Sequence, residues 1–430
     1  MENKNTDIKW FTASPVQLRI YTANLFNSDS TSYNITTLFT LKGKMDEERL
    51  LEAIVNTVDK NSILKARFRY TDEALQYCID NKQLQIEKKY ITDELSNEEL
   101  KQSALQDFVK PFDLLGELLC RVRVVFTNND TTLILLDCHH MVFDGDSIKI
   151  FAHDLQNYYE SKSIEKKEDY NRFAKWQIEY KQSPEYLGKL KYWEELFSEP
   201  AQLCDFWRKR PSEGNCKSAA SEKMVFPRHQ VTEFCEKNEI PEHVFFIAVL
   251  NLVYGRLTYQ KDITLGTFSS ERLEQYTNNM IGMFVNTFPV RNVLEDSTYI
   301  VDYLKQVKES VYHSEDNASV QYDDICKVAH ADSQNPMFQV AVKFQDSFEQ
   351  LLHIEGLECS VEEIIPENSD LEFLIKIQGN DSTYECIINY ARECYSKEAV
   401  GGFLKYFHSC IGYILSGTYS TLGDIPYVIE

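Results

Sequence analysis

The segment His139-His140-Met141-Val142-Phe143-Asp144-Gly145 holds the most concentrated set of reactive groups in this sequence. An imidazole is the side chain best suited to take up a proton near neutral pH. The pair stands where an apolar run, Leu133 to Leu136, ends. Strand ends are where α/β proteins place their sites. Asp144 follows His140 closely enough to lie behind it across a tight turn, holding the loop through a cation or orienting a ring. Gly145 permits a positive φ and leaves room for a substrate. Adjacent strand residues point to opposite sides, so only one of the two imidazoles can face a cavity. The residue types do not say which, and two histidines before Asp-Gly also suit a plain turn. Asp144 reads as an orienting carboxylate and Asp146 as a solvated or helix-N-terminal charge. Ser147 reads as a helix cap rather than a nucleophile. Cys138, on the same side as His140 by alternation, reads as a packed thiol.

The elements that must position this segment follow from periodicity. Ser32 to Lys42 is rich in β-branched and aromatic residues and reads as a strand. Met45 to Asp59 has helical apolar spacing. Leu75 to Ile79 and Leu84 to Ile91 read as short strands, and Ser96 with Glu99 caps a helix running to about Val109. Leu118 to Phe126 and Thr131 to Asp137 flank Asn128-Asn129-Asp130 as a hairpin, with the histidines directly after it. Gly145 and Ser147 open a helix through Ile148, Phe151, Leu155 and Tyr158. Asp169 to Phe197 reads as a helical bridge between two lobes. Beyond it, helices are expected at Pro241–Leu257, Tyr299–Tyr312 and Lys397–Leu415. Strands are expected at Asp262–Phe268, Met283–Val293, Met337–Phe344, Leu371–Ile377 and Thr383–Tyr390. Interleaved strands and helices in both halves predict two α/β sandwiches.

Composition bounds the function. The 430 residues exceed one ordinary core, so two lobes are expected. Lys plus Arg is 45 against Asp plus Glu 67, a formal net charge of −22, which argues against nucleic acid and against an anionic membrane surface. The 11 cysteines form no C-x-x-C pair, so no disulfide framework or zinc site is expected, and reduced core thiols are. The polar start, Met1 to Trp10, is no signal peptide, and no run approaches a membrane span. A cytoplasmic, soluble protein is expected.

The stretch Cys138 to Ser147 resembles the signature of the condensation domains of nonribosomal peptide synthetases, and further segments occur in that family's order. Ser14 to Tyr21 resembles its opening motif, and Lys60 to Phe68 a degraded form of the motif before the active site. Tyr170 to Trp176 resembles its inter-lobe aromatic motif, and Ile281 to Thr287 followed by Arg291 its second-lobe motif. Val320 to Ile325 and Asn335 to Val340 resemble the last two.

The resemblance implies an α/β fold of two chloramphenicol-acetyltransferase-like lobes in a V-shaped pseudo-dimer. The lobes are expected at 1–175, carrying the histidine motif, and 176–430. It implies an acyltransferase that joins the amine of an acceptor aminoacyl group to a donor thioester. Both groups arrive on phosphopantetheine arms of carrier proteins, with adenylation domains as neighbours, no bound cofactor or metal, and a monomeric chain. His140 becomes the working base or amine-positioning group, with His139, Asp144 and Gly145 in the catalytic set. Asn286, Ser147, Arg67 and Arg291 become tunnel-lining or supporting residues. The family's usual Trp after Asp-Gly is Asp146 here, and the arginine that pairs with the motif Asp falls at Lys65. Lys lacks the guanidinium fork, so Arg67 or Arg291 is the expected partner of Asp144. Three variants share the fold: a starter domain using a non-amino acyl donor, an epimerisation domain, and a non-catalytic recruitment domain. The start at Met1 and the stop at Ile425 to Glu430 suit a starter domain and an excised domain alike.

Overall fold

The computed structural model describes residues 8–26, 28–164, 167–202, 218–332, 335–348, 351–365, 368 and 371–427. Two of the expectations, the polar start and the last residues of the C-terminal segment, lie largely or partly outside these. The chain divides into two compact units. The first comprises 1–182, 271–285 and 348–366, and the second 183–270, 286–347 and 367–430. A single cut at 175/176 therefore does not describe the chain, because two later segments return to the first unit. The physical reason is visible in one of them: Glu358–Ile364 hydrogen-bonds antiparallel to Asn34–Lys42 as an edge strand.

The first unit is built on a five-stranded sheet in the order Glu358–Ile364, Asn34–Lys42, Thr131–His139, Cys120–Thr127 and Ile86–Ile91. The strand that ends at the motif, Thr131–His139, lies at the centre and is buried at every position. One of its faces, Ile134, Leu136 and Cys138, joins the core with Leu50, Ile54, Ile148, Phe151 and Leu155 from the helices Glu47–Lys60 and Gly145–Tyr159. Its other face, Leu133 and Leu135, meets Leu100, Ala104 and Phe108. Burial on both faces explains the unbroken apolar run, and each such Leu or Ile contributes roughly 1.5–3 kcal/mol. Asp46 caps the first of those helices, and the capping box of Ser96 and Glu99 forms on Asn97–Leu105. That helix stops short of Val109: Gln106 leaves helical geometry at a ψ of 125°, and Asp107 follows with a left-handed φ of 58°.

The second unit carries a six-stranded sheet in the order Val285–Val293, Asp262–Ser270, Val340–Asp346, Phe373–Gly379, Thr383–Ala391 and Ala219–Pro227. Its helices include Glu242–Thr258, Ile300–Asp316 and Lys397–Leu415. The first of these is buried almost all round, which matches its continuous apolar sequence. The Asp169–Phe197 bridge is two helices, Tyr170–Tyr180 and Pro184–Leu196, divided by Ser183, whose side chain caps the second. Among the described residues no single helix is long and apolar enough to cross a membrane. The architecture is mixed α/β in both units, as the interleaved pattern predicts.

Candidate active site

The two histidines part company at the end of the central strand. His139 is its last residue and is 1% exposed. Its ring packs between Phe112, edge-on at 6.0 Å between centroids, and Tyr33 at 6.2 Å. Its Nδ1 accepts the N–H of Met141 at 3.2 Å, so in the neutral ring the proton sits on Nε2. Burial, with the neighbouring His140 and Arg121 adding to it, lowers its pKa to about 3. Such a ring stays neutral and is a poor proton acceptor at physiological pH. His139, expected in the catalytic set, is thus a packed residue that fixes the turn. His140 is left partly exposed at the first residue of that turn. Its backbone N–H is held by the Tyr33 carbonyl at 2.8 Å.

The turn is tied from two further sides. Val142 N–H donates to the His139 carbonyl at 2.9 Å. Gln17 Nε2 donates to the Met141 carbonyl at 2.9 Å, while Gln17 Oε1 accepts the Ser14 N–H at 2.9 Å. The opening Ser14 to Tyr21 segment is therefore a capped helix start, with Pro15 in its first turn, that grips the histidine turn. Ser14 Oγ in turn meets Tyr170 Oη at 3.1 Å, and Tyr170 donates to the Met283 carbonyl at 2.6 Å. Phe173 packs tilted against Phe284, with 4.5 Å between ring centroids. Four segments picked out in the sequence thus converge within the first unit.

Asp144 is fully buried and caps the helix Gly145–Tyr159, accepting the Ser147 N–H at 2.8 Å. It also accepts from Ser147 Oγ at 2.7 Å and from the Phe284 N–H at 3.2 Å. Its cation is Arg272, whose Nη2 reaches both carboxylate oxygens at 3.0 and 3.1 Å. The expected partners are elsewhere. Arg67 pairs with Asp80 and reaches the Gly116 carbonyl at 3.1 Å, and Lys65 pairs with Asp59 at 2.7 Å. Arg291 binds Asp262 and the Leu196 and Glu199 carbonyls at 2.9 and 2.7 Å in the second unit. Spacing along the sequence carried no trace of Arg272. It stands just before a short 3₁₀ turn, and its reach to Asp144 depends on the return of 271–285 to the first unit. The Asp144 carboxylate oxygens are thus engaged by Ser147, Phe284 and Arg272.

Two smaller expectations need correction. Gly145 is the first residue of the helix, and the described glycines with positive φ are Gly43, Gly356 and Gly417, so no left-handed turn is needed there. Ser147 is not the cap. It is the third helical residue, and its hydroxyl links Asp144 to Gly282, whose N–H donates to it at 3.2 Å. Asn286 is buried in the second unit, donating to the Ala318 and Val320 carbonyls at 2.9 and 2.6 Å. Cys138 is fully buried, and burial pushes its thiol well up, so it is no nucleophile for acyl transfer. Among the described residues no group of three or more His, Cys, Asp and Glu side chains is gathered as metal ligands would be.

A family model for the condensation domain matches residues 9–430. The chain belongs to the condensation-domain family. Condensation domains form the amide bonds of nonribosomal peptides, taking substrates on carrier-borne phosphopantetheine and working beside adenylation domains. Over 409 residues the chain is 25% identical to bacitracin synthase 1 of Bacillus licheniformis, covering 93% of this chain and 8% of that one. It is 23% identical to tyrocidine synthase 2 of Brevibacillus parabrevis over 429 residues, 97% of this chain and 12% of the other. The chain thus spans about a tenth of the curated relatives it matches. The starter condensation domain of rhizomide synthetase RzmA, solved with C8-CoA, superposes with a TM-score of 0.86 at 14% identity. That match covers 97% of this chain and 98% of the other, and establishes the two-lobed fold expected of the family.

Proposed function

We propose that this condensation domain joins two carrier-delivered groups, with His140 as the residue that handles the acceptor amine. The amine nitrogen attacks the donor thioester carbonyl carbon, and the resulting tetrahedral centre expels the donor arm's thiolate. One proton leaves the nitrogen and one is taken up by the sulfur, so an amide and a free thiol result. A neutral imidazole beside the amine serves either by accepting that proton or by holding the amine and its developing charge. The carrying observation is the split of the pair: His139 is sealed and neutral, while His140 stands partly exposed on a turn fixed by Tyr33, Gln17 and Asp144. In this reading His139, Asp144 and Gly145 position, and only His140 touches substrate. The chain works as a monomer in the cytoplasm, next to adenylation and carrier neighbours.

The test uses two loaded carriers and mass spectrometry of the acceptor arm. His140→Ala is expected to remain folded by circular dichroism and to lose amide formation by two or more orders of magnitude, the range general acid–base groups supply. Undiminished product from that variant rejects the assignment. Loss of stereochemical configuration in the acyl group without any amide points to an epimerising relative instead.

A further inference from the structure

Two buried thiols that the reaction does not use lie opposite each other immediately before the histidines. Cys120 and Cys138 are direct partners in the antiparallel ladder between Cys120–Thr127 and Thr131–His139. The next pair outward, Leu119 and His139, is joined by the His139 N–H to the Leu119 carbonyl at 3.0 Å. Hydrogen-bonded and non-hydrogen-bonded pairs alternate along such a ladder, so Cys120 and Cys138 occupy a non-hydrogen-bonded pair. Cα atoms there are about 4.5 Å apart, with the side chains at their closest. That separation falls inside the window of about 4.4–6.8 Å that a disulfide spans. Among the described cysteines, none of which is in a disulfide, no other two face each other in a strand register.

Access comes from one side. Cys120 is among the residues around an open cavity of ≈ 520 Å³ that Lys82, Leu84, Lys110 and Arg121 also line. Cys138 is fully covered. Cys120, itself only 3% exposed, is thus the nearer of the two to that cavity.

We propose that Cys120 and Cys138 form a redox-sensitive pair, converted by a peroxide-class oxidant into a cross-strand disulfide that slows acyl transfer at His140. The Cys120 sulfur attacks one peroxide oxygen, the O–O bond breaks, and one water leaves with a sulfenic acid on Cys120. The Cys138 sulfur attacks that sulfur, the S–O bond breaks, and the second water leaves with the Cys138 proton. Two thiols have lost two electrons and peroxide has gained them. Closing the bond draws the two Cβ atoms to about 3.8 Å. That shift bears on the strand whose next residues are His139 and His140. Catalytic geometry tolerates little of this, since a displacement of about 1 Å can cost on the order of a hundredfold. The effect on rate rests on the reading of His140 given above; formation of the bond does not.

The whole reduced chain is exposed to a small excess of hydrogen peroxide, alkylated, denatured and digested. The expected product is a peptide pair joined through Cys120 and Cys138, absent from Cys120→Ser and cleaved by dithiothreitol. The oxidised protein is expected to form amide at least tenfold more slowly, with recovery on reduction, while Cys120→Ser keeps its rate through the same treatment. Both thiols recovered alkylated under conditions that oxidise the more exposed Cys326 and Cys359 would overturn the proposal. A joined pair with an unchanged rate overturns its link to His140. A reduced wild-type chain that forms no amide at all counts against the function proposed above, while the peptide map still decides the bond.

Discussion

Arg272 sets one guanidinium nitrogen against both oxygens of Asp144, with side-chain exposures of 9% and 0%. The guanidinium also donates to the Thr277 and Met280 carbonyls at 2.7 and 2.6 Å and lies over the Phe284 ring at 3.9 Å. One residue thereby joins the helix cap after the histidine turn to the backbone of 277–284. Removing one partner of a buried pair strands the other charge, at a cost of about 3–5 kcal/mol. Arg272→Ala is expected to lower the unfolding free energy, measured in urea, by that order and to reduce amide formation with it. Arg272→Lys should recover only part, because an ammonium cannot serve two carbonyls and a carboxylate in one plane. Equal stability of all three proteins would remove Arg272 from the scaffold.

The carboxylate itself has two separable tasks, capping and ion pairing. Asn caps a helix as well as Asp does, and loss of a cap costs about 1 kcal/mol. Asp144→Asn should therefore stand between wild type and Asp144→Ala in folded yield and melting temperature. Asp144→Ala should lose yield and activity together. If it melts normally and is inactive, Asp144 has a direct chemical part.

His139 makes stability depend on pH. Its folded pKa of about 3 lies below the ordinary value of about 6.5 in the unfolded chain. Between those values the unfolded state binds a proton that the folded state does not, so stability falls as pH drops through that window. His139→Asn keeps an acceptor for the Met141 N–H and removes the titration. Its deficit relative to wild type, from denaturant unfolding, should shrink by about 2 kcal/mol between pH 8 and pH 5. Asp137 nearby is pushed the other way, up to about 6, by burial, against lowering contributions from Thr36, Arg121 and Asn34. Its contribution falls as pH rises and is common to both proteins, so it cancels in the difference. A deficit that does not change with pH would mean that His139 is protonated in the folded state.

Gly282 tests the convergence of the motifs. A Cβ there would meet Cδ2 and Cε2 of Tyr170 at 2.4 Å. That ring cannot step aside easily, since its hydroxyl is held by Met283 and Ser14. Gly282→Ala is expected to cost about 1–3 kcal/mol, in the range of overpacked cores. Adding Tyr170→Leu should make the double variant more stable than the sum of the single losses, by a coupling of at least 0.5 kcal/mol. Strict additivity would show that the clash is relieved elsewhere.

What the sequence disclosed follows the range of the interactions involved. The central strand and its flanking helices were legible because their burial imposes local periodicity, as in Leu133 to Leu136 and in Leu50, Ile54 and Val58. Two of the edge strands were not, although Ile86–Ile91 and Val285–Val293, also at edges, were. Glu358–Ile364 alternates exposed acidic residues with few apolar ones, and Ala219–Pro227 is mostly half-exposed, so neither carries a strong pattern. At the site, the histidine turn was legible by type, but its division into a sealed and an open ring depends on Phe112 and Tyr33. The cation was misplaced for the same reason. Arg272 is 128 residues from Asp144, and only folding decides which arginine arrives.

Asn286 closes a backbone junction in the second unit. Its amide donates to two carbonyls, and its Oδ1 accepts the Tyr322 N–H at 3.3 Å, at the start of the helix Tyr322–Val328. Asn286→Ala leaves those buried groups short of partners, each worth about 1–3 kcal/mol. Asn286→Asp keeps the shape but sets a carboxylate against carbonyl oxygens. Its folded pKa must rise, because the protonated form alone can donate. A raised folded pKa gives stability that is present at low pH and lost as pH rises through it. The Asp variant should therefore gain on the Ala variant in melting temperature from pH 8 to pH 5, while Ala and wild type keep a constant gap. An Asp variant that shows no such gain would mean that its carboxylate has turned out to water, and that the junction does not require the donor.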